Sequence, residues 1–152
     1  GNLITDFGAE ALSSLKNTPG IRELTLNLGA NLLGNLGAKA LASLKDAPSL
    51  RSLTLYLFWN RIMDPGVAAL ASLSEAPALQ VLHMDVQETH IGDEAVIALA
   101  SLKNAPLLHT LTLDLRGNAI SEVGFMAISE LHEMPSLRNF GLYIKSKIRS
   151  VT

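Results

Sequence analysis

Leu50-Arg51-Ser52-Leu53-Thr54-Leu55-Tyr56-Leu57-Phe58-Trp59-Asn60 alternates leucine with polar or aromatic residues at period two, the pattern of a strand with one buried face. Its leucines Leu53, Leu55 and Leu57 recur in phase as Leu24, Leu26 and Leu28 before it. After it come Leu82, Met84 and Val86, then Leu111, Leu113 and Leu115, then Phe140, Leu142 and Ile144. Pro19, Pro48, Pro77, Pro106 and Pro135 fall 29 residues apart, and only Pro65 lies outside the series. Self-similarity at a fixed period in this range marks a solenoid or array.

Each unit continues in the same order. The alternating segments predict strands at 21–29, 50–58, 79–87, 108–116 and 137–145. A turn follows, carrying Asn31, Asn60 and Asn118, with Asn2 in the same phase; Thr89 and Lys147 interrupt the column. Then one apolar residue (Ile4, Leu33, Ile62, Ile91, Ile120) precedes Asp6, Asn35, Asp64, Asp93 or Glu122, where a helix is expected to begin. Asp and Asn accept the free amides of a first helical turn, and Pro65 after Asp64 suits the first helical position. Leucines at helical spacing then predict helices at 7–16, 36–45, 65–74, 94–103 and 123–132, each stopped by the following proline. One strand and one helix per unit cannot bury their apolar faces alone, so neighbouring units must share a core. The handedness of strand-helix-strand connections makes the expected superhelix right-handed.

Leu53-x-Leu55-x-Leu57-x-x-Asn60-x-Ile62, followed by Gly66, Leu70 and Leu73, resembles a leucine-rich repeat, in particular the ribonuclease-inhibitor-like type with a helix in each unit. The resemblance covers about residues 2–146 and implies an α/β solenoid of about five repeats. Its shape would be a right-handed horseshoe with a concave parallel sheet and convex helices. The chain is read as a single domain over 1–152, part of a longer array. Leu57 is an insertion relative to the family spacing, which predicts a strand about two residues longer. The resemblance also implies that the asparagine column forms a buried ladder satisfying turn backbone groups. Thr89 can supply only a hydroxyl, so the turn at Gln87-Glu88-Thr89-His90-Ile91 is expected to be the least regular.

Composition narrows the function classes. The 152 residues are 48% hydrophobic, enough for one domain with a core, and 17% charged with a net charge of −2. Nothing in that balance offers the basic footprint of a nucleic-acid binder. There is no cysteine, which removes disulfides, thiol nucleophiles and cysteine-based zinc sites together. No apolar run approaches the roughly 20 residues that span a bilayer, and no secretory signal is visible, so membrane insertion is not expected and the cytoplasm is favoured. Gly8, Gly37, Gly66 and Gly124 recur singly at helix starts rather than clustering as a phosphate-binding loop would require.

Function is therefore sought on the outward strand positions, which change from unit to unit while the inward ones do not. The central outward column is Asn27, Tyr56, Asp85, Asp114 and Tyr143; flanking it are Thr25, Thr54, His83, Thr112 and Gly141, and then Gly29, Phe58, Gln87, Arg116 and Lys145. Phe58-Trp59 replaces Gly29-Ala30, Gln87-Glu88, Arg116-Gly117 and Lys145-Ser146, so repeat geometry does not require large aromatics there. With Tyr56 they form an aromatic cluster of the kind that anchors protein interfaces. The structural alternative is a lid over the turn at Ala30 and Leu32. His83, Asp85 and Asp114 are the one set from which a metal or acid-base site is conceivable, but no fourth ligand or nucleophile accompanies them. His90, His109 and His132 lie at scattered phases. No catalytic, metal or cofactor residues are assigned. The expected function is a non-enzymatic scaffold that binds another protein through Tyr56, Phe58, Trp59, His83, Asp85, Asp114, Arg116 and Tyr143. The alternative is a structural subunit of a larger complex, held through end units whose Leu3, Ile4, Phe7, Leu142 and Ile144 are expected to be partly bare. Those ends would be covered by another copy or by the complex.

Overall fold

A computed structural model describes residues 2–144. Among the described residues five helices, α1 (Asp6–Ser13), α2 (Asn35–Ala42), α3 (Asp64–Leu70), α4 (Asp93–Leu99) and α5 (Glu122–Ser129), alternate with five strands. The strands are β1 (Glu23–Asn27), β2 (Ser52–Tyr56), β3 (Val81–Asp85), β4 (Thr110–Asp114) and β5 (Asn139–Tyr143), all parallel in one sheet of order β1-β2-β3-β4-β5. Corresponding leucines stand directly opposite one another: Leu24 pairs with Leu53, Leu53 with Leu82 and Leu82 with Leu111. This is the α/β solenoid expected from the repeats. No helix of the described residues is long and apolar enough to cross a membrane.

One contiguous core runs the length of the stack. It joins Leu53, Leu55 and Leu57, on the sheet, to Val67, Leu70 and Leu73, on the helical side of the same unit, all fully buried. Burying each such side chain contributes about 1.5–3 kcal/mol. Leu57, Val86 and Leu115, the inserted third apolar position, are as buried as the other two.

The strands are shorter than the sequence predicts at both ends, and the loss at their C-terminal ends has a physical cause. Pairing to the next unit does continue past each strand, through Leu28 N–H to Tyr56 O at 2.8 Å and Ala30 N–H to Phe58 O at 2.8 Å. However, the side-chain oxygens of Asn27, Asp85 and Asp114 accept the amides two residues on, at 3.3, 3.1 and 3.3 Å. The residue after that amide then turns left-handed: Ala30, Glu88 and Gly117 have φ of 54°, 50° and 74°, and Trp59 has 52°. The pleat ends there. Lys145, the last residue of the expected fifth strand, and Lys147 of the turn column lie outside the described residues.

The helices also differ at both ends. They begin on Asp6, Asn35, Asp64, Asp93 and Glu122 rather than after them, and each passes into a 3-10 turn, such as Ser43–Asp46 after α2. Ser14, Ser43 and Ser72 hydroxyls donate to the carbonyls of Ala11, Ala40 and Ala69, three residues back, which tightens the backbone at that point.

The acidic and asparagine residues expected to cap their own helices instead cap the helix of the next unit. Asp6 Oδ1 accepts from Gly34 N at 2.6 Å, and Asn35 Oδ1 accepts from Met63 N and Gly66 N at 3.0 and 2.9 Å. Asp64 Oδ1 accepts from Gly92 N and Ala95 N at 2.7 and 3.2 Å, and Asp93 Oδ1 from Ser121 N at 2.8 Å. Each first-turn side chain thus satisfies orphan amides one repeat further on. The recurrent glycines follow from that approach: a β-carbon on Gly37 or Gly124 would sit 2.5 or 2.4 Å from the Oδ1 of Asp6 or Asp93.

Candidate protein-binding face and rim

The outward face is built by the strand alternation: Leu53 and Leu55 point into the core, and Thr54 and Tyr56 point away from it, only partly buried. Register then places Tyr56 beside Asp85, Asp85 beside Asp114 and Asp114 beside Tyr143. The Tyr56 and His83 rings lie 5.3 Å apart, tilted by 57°. Arg116 donates through Nε and Nη2 to both oxygens of Asp114, at 2.9 and 2.6 Å for the shorter pair, and its guanidinium carbon stands 5.6 Å from the Tyr143 ring centre. Hydrogen bonding to Asp114, and then the charge of that carboxylate, hold the guanidinium above its ordinary pKa, so Arg116 stays cationic. Gln87 Nε2 donates to both oxygens of Asp85 at 3.0 Å. Both aspartates are only 7% exposed despite facing outward, enclosed by these neighbours. Among the described residues no trio of metal-ligating side chains converges on this face or elsewhere.

Phe58 and Trp59 separate into two roles. The Phe58 ring lies flat on Gly29, where an added β-carbon would meet ring atoms at 2.3 Å, so Phe58 covers a glycine of the preceding unit. Trp59 meets Phe58 edge-on, with ring centres 5.9 Å apart at 80°, and is itself 65% exposed. Trp59 holds the left-handed backbone that this turn position adopts in every unit where it is described, a conformation easiest for glycine. It borders an open depression of about 420 Å³ with Asn31, Leu32, Asn60, Arg61, Glu88 and His90.

Tyr56, Phe58, Trp59, His83, Asp85, Asp114, Arg116 and Tyr143 thus fall on one outward face and its rim, but not as a single cluster. Tyr56 and His83 form one group, Asp114, Arg116 and Tyr143 a second, with Asp85 between them in register, and Phe58 and Trp59 a third at the strand ends. Leu32 belongs to the turn that the lid alternative named; Arg61, Glu88 and His90 are the rim neighbours not anticipated from sequence, although repeat phase alone sets Glu88 and His90 one unit beyond Trp59 and Arg61. On the helical side, Phe7 and Leu36, 82% and 71% exposed, line a second depression of about 450 Å³ with Asp6, Glu10, Lys39 and Ala40.

The turns below the rim hold the asparagine ladder. Asn60 Oδ1 accepts from Leu33 N at 2.9 Å while its Nδ2 donates to Leu28 O and Leu57 O at 2.8 and 2.9 Å; Asn118 Oδ1 accepts from Ile91 N at 3.3 Å while its Nδ2 donates to Val86 O at 2.8 Å. At the third turn the Thr89 side chain makes one bond, from its hydroxyl to Val86 O, while its amide donates to Asn118 Oδ1; the extra left-handed residue His90 (φ 64°) makes this turn irregular, as the sequence predicts.

With strand alternation, asparagine ladder and stacked units in place, a family model described as Leucine Rich repeat matches residues 49–71 and 108–129. The chain has the leucine-rich-repeat fold. The leucine-rich-repeat stack is similar to the solved structure of leiomodin-1 actin-binding site 2, with a TM-score of 0.68 and 20% identity over 90% of this chain and 79% of that one. It is also similar to the tropomodulin C-terminal domain of Caenorhabditis elegans, with a TM-score of 0.62 and 16% identity over 93% of this chain and 84% of that one. No curated protein sequence matches it significantly.

Proposed function

We propose that the protein is a non-enzymatic scaffold whose outward sheet face and strand-end rim bind another protein. The observation that carries this reading is Trp59: a large aromatic side chain, 65% exposed, on a left-handed backbone position that a smaller residue would occupy at less cost. An exposed tryptophan beside an arginine, here Arg61, is the composition of interface anchors. The similarity to leiomodin-1 actin-binding site 2 supports a protein as the class of ligand, without naming this chain's partner. The net charge of −2 argues against a nucleic acid in that role.

The test is affinity recovery from native extract with the wild-type chain and with Tyr56, Phe58 and Trp59 all replaced by alanine. A protein recovered by the first and lost at least tenfold by the second, at unchanged fold, supports the reading. Equal recovery removes it.

A second reading is favoured by Leu3 and Phe7, 80% and 82% exposed in the first unit: a structural subunit held through its end units. Placing a charge at Leu3 or Ile144 would then disrupt assembly while the isolated chain stays folded.

A further inference from the structure

The two outward aspartates differ in one respect that bears on what the face binds. Asp85 and Asp114 stand opposite one another on adjacent parallel strands, a spacing of about 4.8 Å. Each is only 7% exposed. Asp114 has a cation of its own, the guanidinium of Arg116, which also lies over the Tyr143 ring. Asp85 has none within ion-pair distance among the described residues; its donors are the neutral side-chain amide and backbone amide of Gln87. Two largely desolvated carboxylates therefore share one positive charge, and a neutral donor stabilises a carboxylate less than a charged one does.

We propose that Asp85 is the recognition point for a cationic side chain, best an arginine, presented by a protein partner. This rests on the protein-binding reading above and names what the sheet face would take. The molecule already contains the arrangement one strand away: a guanidinium on Asp114, with an aromatic ring beside it. At Asp85 the aromatic side is supplied by Tyr56, its register neighbour, held against His83. Gln87 occupies the place that Arg116 occupies in the next unit, and its side chain, only partly buried, is the piece an incoming guanidinium displaces. Arginine is favoured over lysine because its planar fork meets both carboxylate oxygens and stacks on a ring.

The test uses the folded chain and a blocked glycine-arginine-glycine tripeptide, followed by amide chemical shifts in NMR titration at low salt. The expected result is saturable shifts centred on Tyr56, His83, Asp85 and Gln87, at least tenfold weaker binding of the same peptide with citrulline for arginine, and loss of the effect in Asp85→Asn. Gln87→Arg should also abolish it, by giving Asp85 an internal partner as Arg116 gives Asp114, while leaving the fold intact. Citrulline binding equal to arginine, or undiminished arginine binding in Gln87→Arg, overturns the proposal. Because no natural partner is needed, this test can fail while the Trp59 rim still binds protein, and can succeed where the rim does not.

Discussion

At the residue scale, what the strand alternation decides is direction, and what it leaves open is the company each outward residue keeps. That Leu53, Leu55 and Leu57 are core and that Tyr56 faces outward was legible, because period two admits no other assignment once one face is apolar. That Asp85 and Asp114 would be nearly buried was not, since their enclosure comes from Gln87 and Arg116 two residues on and from the flanking strands. The asparagine ladder shows the same division. Ile4, Leu33 and Ile91 donate their amides to Asn31, Asn60 and Asn118, but the corresponding amide of buried Ile62 meets Thr89 in that phase and finds no such acceptor among the described residues. Thr89→Asn is therefore expected to raise stability by about 1 kcal/mol, measured by urea unfolding. Asn60→Ala, which strands several buried backbone groups at once, should lower it by about 3 kcal/mol. A loss for Thr89→Asn would mean that the Thr89 hydroxyl bond to Val86 outweighs the missing acceptor.

At the scale of the element, the helices begin one residue before the spacing predicts, on the Asp, Asn or Glu itself, and the direction of capping differs altogether. A sequence shows that Asp sits where a helix begins; it does not show that the side chain reaches across to the next unit, which depends on how closely the units stack. The glycine column is the trace of that reach. Ala95 is the exception within it, and its amide lies 3.2 Å from Asp64 Oδ1 where Gly66 lies 2.9 Å from Asn35 Oδ1, in keeping with a methyl group held in the gap. Gly124→Ala should cost about 1–2 kcal/mol in chemical unfolding, because the new β-carbon displaces Asp93 from the amides it caps. The same cap predicts a pH dependence. The hydroxyl of Ser121 chiefly, with the amides of Ser121 and Gly124, holds the Asp93 carboxyl below its ordinary pKa. The native state therefore binds the proton less readily than the unfolded chain, so the cap's contribution is present above the unfolded value of about 3.9 and lost as pH falls through the lower native value. Wild-type and Asp93→Asn stabilities should differ at about pH 6 and converge in stronger acid. A gap that widens on acidification would contradict that sign.

At the scale of the whole molecule, five parallel strands in register present one continuous outward surface, and its variation between units is concentrated at Tyr56 to Trp59 and at Asp85 to Arg116. The repeat made the fold readable from sequence because each inward position is stated five times. The candidate site is written once, at positions the repeat leaves free, so sequence could point to its residues but not to their grouping into the Tyr56–His83 pair, the Asp114–Arg116–Tyr143 group and the Phe58–Trp59 rim. The claim that this face, and not the helical side, meets a protein is tested most directly by hydroxyl-radical footprinting of the chain with and without its recovered partner. Trp59 and Tyr143, 65% and 52% exposed, should lose most of their oxidation in the complex, while Phe125 on α5, 43% exposed, keeps its own. Protection of Phe7 and Phe125 with Trp59 and Tyr143 unchanged would contradict it.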